Sequence, residues 1–220
     1  DNRIVRFLMS MGGTEEVGGY NYIVFPTFAP GVPSHFPRTA TLNEVHQSMI
    51  ATAGPFDFYC DPRQCPDLSP HVGSWMISAG EDHAGCSAWN NHEILAEVVE
   101  RVPWSLGLLG WLTRHSDSLA RRFPHIPSRG ETVSSWYLFD FHASSPDLAC
   151  DLIRFVAAQA REAGVDYCYI PAGSQDDWVK AVRAEVPASF TPIIPYTMMA
   201  GWGRGHMPQL KNIYVDIRDL

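Results

Sequence analysis

The stretch ETVSSWYLFDFHASSPDLACDLIRFVAAQAREAGVDYCYIPA, residues 131–172, decides the fold. Its first part, ETVSSWYLFDF (131–141), is dense in aromatic and β-branched residues and reads as one long strand. Ser144 or Ser145 then offers a hydroxyl cap, with Pro146 at the first helical position, where its missing N–H costs nothing. Leu148, Leu152, Ile153, Phe155, Val156 and Ala160 recur at helical spacing, so 147–164 reads as an amphipathic helix stopped by Gly164. VDYCYIPA (165–172) follows directly as a second strand. Strand, helix and strand with short connections make a βαβ unit, which implies a parallel pair with a right-handed crossover.

Outward from this unit, the remaining elements alternate. YNYIVFP (20–26) reads as a strand, and TFAPGVPSHFPRT (27–39) as a loop. Thr41 and Glu44 have the spacing of a capping box for a helix ending at Gly54. DFYCDP (57–62) reads as a short strand. GSWMISAG (73–80) and HAGCSAWN (83–90) read as a hairpin turning at Glu81 and Asp82. Residues 92–123 lean to helix, broken near Pro103, and FPHIPSRGE (123–131) is a loop. QDDWVKAVRAEV (175–186) is a further helix, and SFTPIIPYTMMAG and NIYVDIRDL are two closing strands. Pro192 and Pro195 restrict the first of these to an edge or a bulge. The fold class is therefore α/β (α+β): a mixed sheet with a parallel βαβ unit and helices on both faces.

Composition narrows the function. The chain of 220 residues is 45% hydrophobic with a net charge of −8, enough apolar matter for a sizeable core and the wrong sign for a broad grip on a phosphate backbone. No nucleic-acid partner is expected. PWSLGLLGWL (103–112) is the nearest thing to a membrane span and is too short, so it reads as a core or interfacial helix and no membrane is expected as a partner. Five cysteines without framework spacing suit a reducing cytoplasm. CDPRQC (60–65) has no accompanying metal-ligand pattern, so no metal is expected. No secretory leader is expected, and no Walker loop, G-x-S-x-G elbow or dinucleotide fingerprint is present.

The order of hairpin, long strand, helix, strand, helix and two closing strands resembles the GCN5-related N-acetyltransferase (GNAT) superfamily over residues 56–220. IPSRGETVSSWYLFDF, AREAGVDYCYI, YTMMAGW and IYVDIRDL are similar to the second unit of tandem acetyltransferase-like proteins. The resemblance implies a GNAT-like, mostly antiparallel sheet and an N-acyltransferase using acetyl-CoA or another acyl-CoA to modify an amine of a small molecule. In such a fold the long strand and its parallel neighbour part, pantetheine lies along their backbone amides, and the pyrophosphate meets the start of the next helix. That implies cofactor contacts at Phe139, Phe141, Ala143, Ser144 and Ser145. Asp140 and His142, at the end of the long strand, are the catalytic candidates, His142 as a base near its ordinary pKa; a solvent-facing Asp140 and a loop His142 are the bland alternative.

Two features depart from the family pattern. HASSPDLACD (142–151) lacks the glycines of a phosphate turn, loses one donor at Pro146 and carries the Asp147 carboxylate. The helix QDDWVKAVRAEV offers no Tyr to protonate a leaving thiolate. A catalytically degenerate domain with a structural, dimerisation or ligand-binding role is the alternative, its groove filled by Trp136, Tyr137 and Phe139. Glu81 and Asp82 at the hairpin tip border the acceptor side in this fold, though turn chemistry alone explains them. His83, His92, Asn90, Asn91 and Cys86 form a second polar cluster, with a turn and a buried thiol as the plain reading.

The opening DNRIVRFLMSMGG places Asn2, Leu8 and Gly12 at the spacing of a late GNAT helix. Residues 1–55 are then either the tail of a preceding GNAT-like unit or an added helix plus the first strand of the same domain. A homodimer or a preceding GNAT-like unit is the corresponding partner.

Overall fold

The computed structural model describes residues 14–27, 31–52, 71–90, 97–120, 123–173, 177–184 and 193–201. The opening helix, DFYCDP, CDPRQC, His92 and the last strand NIYVDIRDL lie outside them. The described elements are β1 (Thr14–Pro26), β2 (Arg38–Thr39), α1 (Leu42–Thr52), β3 (His71–Ala79), β4 (Asp82–Asn90), β5 (Glu97–Val98), α2 (Trp104–Arg114), α3 (Asp117–Ala120), β6 (Thr132–Val133), β7 (Ser135–Ala143), α4 (Pro146–Glu162), β8 (Tyr167–Gly173), α5 (Asp177–Ala184) and β9 (Ile193–Gly201).

Seven strands form one sheet in the order β2-β3-β4-β7-β8-β1-β9. Within it β7 and β8 are parallel and every other pairing is antiparallel. The expected mixed, mostly antiparallel sheet with its parallel βαβ unit is present. β1 is first in sequence but lies inside the sheet, pairing with β8 on one side and β9 on the other. β9 closes the described sheet as an edge, a position that suits Pro195.

Two expectations are corrected. The stretch 131–141 is not one strand. Thr132–Val133 pair with Glu97–Val98 in a separate ribbon, and β7 starts only at Ser135. Ser134 makes the break, because its N–H donates to the Asp166 carboxylate and its carbonyl accepts from the Asp166 and Tyr167 N–H groups. Residues 92–123 are also not uniformly helix-leaning: Glu97–Val98 are extended, since valine favours a pleated position with a partner available.

The capping box forms as written, with the Thr41 N–H donating to Glu44 Oε2 at 2.7 Å and the Glu44 N–H to Thr41 Oγ1 at 3.2 Å. Ser145 caps α4, accepting from the Leu148 N–H, and the chain leaves α4 at Gly164 with φ +76°. The buried stripe of α4 packs with α5 on one face of the sheet, against Trp75, Ile77, Cys86, Ala88, Trp136, Leu138, Cys168 and Ile170. Each fully buried Leu or Ile there is worth about 1.5–3 kcal/mol. α1 covers the other face over β3, β4 and β7. On the outer side of α4, Asp151 straps down the proline-rich loop. Its carboxylate accepts from the Ser34 N–H (2.9 Å), the His35 N–H (2.9 Å) and Arg154 (3.0 Å). Burial alone would raise the Asp151 pKa, but these donors and the His35 ring hold it below the ordinary carboxylate value.

Candidate functional site

A bulge in β7 builds the site. Gly85 pairs with His142 and Ser87 with Phe139, so Asp140 and Phe141 together face the single residue Cys86 on β4. Asp140 takes φ +51°, a left-handed conformation that Asp tolerates better than most side chains. In an unbroken strand, Asp140 and His142 would follow Trp136 and Leu138 into the apolar α4 face. The extra residue resets the alternation. Phe141 takes the core position, ring to ring with Trp178 at 4.7 Å, while Asp140 and His142 turn to α1.

There they meet two residues of one helix. Asp140 is fully buried and its carboxylate lies 3.2 Å from Nδ1 of the buried His46. His142, 8% exposed, contacts Ser48 Oγ through Nε2 at 2.8 Å and the Asp140 carbonyl through Nδ1 at 2.9 Å. A carbonyl oxygen only accepts, so the Nδ1 atom carries the proton, Nε2 keeps its lone pair, and Ser48 donates to it. Burial pushes the His142 pKa down, more than the Asp140 carbonyl pulls it up, and the His83 ring 5.8 Å away adds to the lowering. The result is an imidazole that stays neutral at pH 7 with a basic nitrogen aimed at a hydroxyl. Gly85 makes room for it: a Cβ there would lie 2.7 Å from His142 Cε1.

The pairing of β7 with β8 is short. Ser135, Trp136 and Tyr137 face Tyr167, Cys168 and Tyr169, and the pairing stops there. β7 continues along β4 to Ala143, and β8 along β1 to Gly173. The two strands therefore part over 138–143 and 170–173. At the last shared pair, Tyr137 and Tyr169 stack at 4.5 Å, and both hydroxyls donate to the Glu97 carboxylate, the latter at 2.8 Å.

The other expected residues fall as follows. Phe139 is buried on the α1 face, its ring 6.4 Å from His71, whereas Phe141 lies on the α4 face. Ala143 ends β7 opposite Ala84. Ser144 ties the strand end to the hairpin: its hydroxyl donates to Asp82 at 2.9 Å and accepts from the His83 N–H at 2.8 Å. Ser145 caps α4. Trp136 stacks on Trp75 in the α4-side core, away from Tyr137 and Phe139. Cys86 is buried, and burial drives its thiol pKa far up, which leaves it inert as a nucleophile. Among the described residues no cluster of His, Cys, Asp or Glu has the form of a metal site. The expected solvent-facing alternative for Asp140 is overturned by its complete burial.

Sequence reading missed His46, Ser48 and Glu97. His46 lies with Val45 and Met49 on the buried side of α1. A cavity of about 790 Å³ opens elsewhere, lined by Val98–Val102, Arg129 and Gly130, and holds none of the expected site residues.

No family model and no curated protein sequence matches the chain. Among solved structures it is similar to a GCN5-related N-acetyltransferase from Anabaena variabilis, at 12% identity and a TM-score of 0.47, over 88% of this chain and 42% of that one. It is also similar to Saccharomyces cerevisiae N-myristoyltransferase with bound myristoyl-CoA, at 10% identity and a TM-score of 0.43, over 93% of this chain and 56% of that one. The chain thus spans about half the length of the structures it matches.

Proposed function

We propose that the domain transfers an acyl group from a CoA thioester to an amine of a small molecule. The observation that carries this reading is the parting of β7 from β8 beside a neutral His142. Backbone amides that leave a ladder are what an extended pantetheine needs, with the acyl carbon beside the β7 bulge that turns His142 toward α1. The acceptor nitrogen attacks that carbon, the C–S bond breaks, and the thiolate departs. The proton shed by the nitrogen passes through the Ser48 hydroxyl to His142 Nε2, whose depressed pKa keeps it free to accept. Phe139, Phe141 and Ala143 contribute main chain to the groove, and Ser144 and Ser145 lie where the pyrophosphate would arrive.

A second reading, a degenerate domain that binds no CoA, is favoured by that last point. The Ser144 hydroxyl is engaged by Asp82 and His83, Ser145 is a helix cap, and Asp147 puts a carboxylate in the first turn of α4. Calorimetry with CoA and acetyl-CoA separates the two. Micromolar binding that tightens about three-fold or more in Asp147→Asn, through relief of charge repulsion at the helix start, supports acyl transfer. Absence of heat at millimolar ligand for both proteins sinks it.

A further inference from the structure

Ser48 and His142 meet although 94 residues separate them in sequence. Ser48 lies inside α1 and is half-buried; His142 is near the end of β7 and is buried beneath it. A serine inside a helix ordinarily turns its hydroxyl to the carbonyl four residues back or to water. The Ser48 hydroxyl is instead 2.8 Å from His142 Nε2, and the opposite ring nitrogen donates to the Asp140 carbonyl at 2.9 Å. A hydroxyl, an imidazole and an acceptor that fixes the tautomer, in that order, are the parts of an activated nucleophile, with a main-chain carbonyl where a carboxylate more often stands.

Two further features favour chemistry over packing. The carbonyl that orients the ring belongs to Asp140, the one non-glycine residue with positive φ among the described residues. Backbone strain of this kind clusters at sites where geometry matters more than local comfort. The electrostatics also suit a base: burial keeps the resting ring neutral, while the Asp140 carbonyl and the Asp140 carboxylate both favour the imidazolium that forms once the hydroxyl proton is taken. Ser48 is the member of the pair that solvent reaches, which is the order a nucleophile and its base require.

We propose that Ser48 is a nucleophile with His142 as its base, and that the domain hydrolyses small acyl esters and thioesters through an acyl-Ser48 intermediate. Ser48 Oγ bonds to the acyl carbon as its proton passes to His142 Nε2. The bond from that carbon to the leaving oxygen or sulfur breaks, and Nε2 returns the proton to the leaving group. Water then bonds to the acyl carbon and gives a proton to Nε2; the ester bond to Oγ breaks, Oγ takes the proton back, and the carboxylic acid departs. This activity goes beyond transfer to an amine and needs no CoA groove: with no amine in place, the hydroxyl attacks instead of relaying a proton. CoA binding and acylation of Ser48 therefore succeed or fail separately.

The test is p-nitrophenyl acetate given to the 220-residue chain in an amine-free buffer. Acid quenching and peptide mapping should find an acetyl group on Ser48, and a fluorophosphonate should label the same residue. Ser48→Ala should slow nitrophenolate release about 100-fold, and His142→Gln by a similar factor, in proteins whose thermal melts show them folded. Ser48→Cys should still be acetylated at that position, because a thiol there is also a nucleophile; a serine that only props the ring would give no acyl-enzyme in either form. An acetyl group found only on other residues overturns the proposal, as does nitrophenolate release that is as fast in Ser48→Ala as in the wild type.

Discussion

Replacing Gly85 by Ala probes the site through its tightest contact. The new methyl would sit 2.7 Å from His142 Cε1 and 3.2 Å from Nε2, where ordinary contact begins at 3.4 Å, so the ring must retreat by about 0.7 Å. It is held on both nitrogens, at 2.8 Å by Ser48 and 2.9 Å by the Asp140 carbonyl, and that retreat stretches one of them past bonding range. The lost hydrogen bond costs about 1 kcal/mol and the overpacking about 1–3 kcal/mol. Restricting the unfolded chain returns about 0.5–1 kcal/mol. The net is a destabilisation of about 2 kcal/mol, or roughly 4–8 °C in Tm for a chain of this size. Thermal melts give the magnitude, and a double-mutant cycle gives the cause. In a His142→Ala background the clash has no partner, so Gly85→Ala should cost nothing there or stabilise slightly. A penalty that persists in that background, or no penalty in the wild type, refutes the packing described for the ring. The imidazole resonances of His142 should also titrate closer to the ordinary histidine value in the Gly85→Ala protein, because the displaced ring is less buried.

Two further outcomes follow from the charged contacts. His125 lies between Asp166 (2.8 Å) and Glu131 (3.1 Å), and the Asp166 hydrogen bond holds its pKa above 6.5, more than burial lowers it. Its stabilising contribution is complete below pH 6.5 and is lost as pH rises through the higher folded value. His125→Gln should abolish this alkaline decline in Tm, at a cost of about 1 kcal/mol or less below it, since the ring is partly exposed; an unchanged slope would dismiss the pairing. Asp151→Ala removes the acceptor of the strap and should cost about 2–4 kcal/mol, with hydrogen exchange accelerated at the Ser34 and His35 amides. Exchange that stays slow there would show that the loop is held by other means.

The βαβ unit was legible because its signals are local: a cap, a helical stripe and a stop within thirty-odd residues of chain. The capping box at Thr41 was legible for the same reason. The bulge at Asp140 was not. Nothing in WYLFDFHA marks the extra residue, which exists because β4 offers one residue where β7 offers two. The face taken by Asp140 and His142 therefore depended on a partner strand about fifty residues upstream. The break at Ser134 likewise rests on Asp166, which reaches it only once β8 is in place. His46 and Ser48 became visible as site residues only when α1 was seen to cover that face.

The place of β1 has a consequence for how the chain is made. Tyr20 pairs with Gly173, about 150 residues later. At roughly 5–20 residues per second of synthesis, β1 waits on the order of 8–30 s after it emerges before β8 exists to receive it. During that time its row of Tyr20, Tyr22, Ile23, Val24 and Phe25, buried at maturity, has no strand to pair with. Closure over such a distance is slow, so the nascent chain carries an unmatched hydrophobic strand until β8 emerges. The sheet thus completes late, and the segment made early is the one that needs shelter on the ribosome.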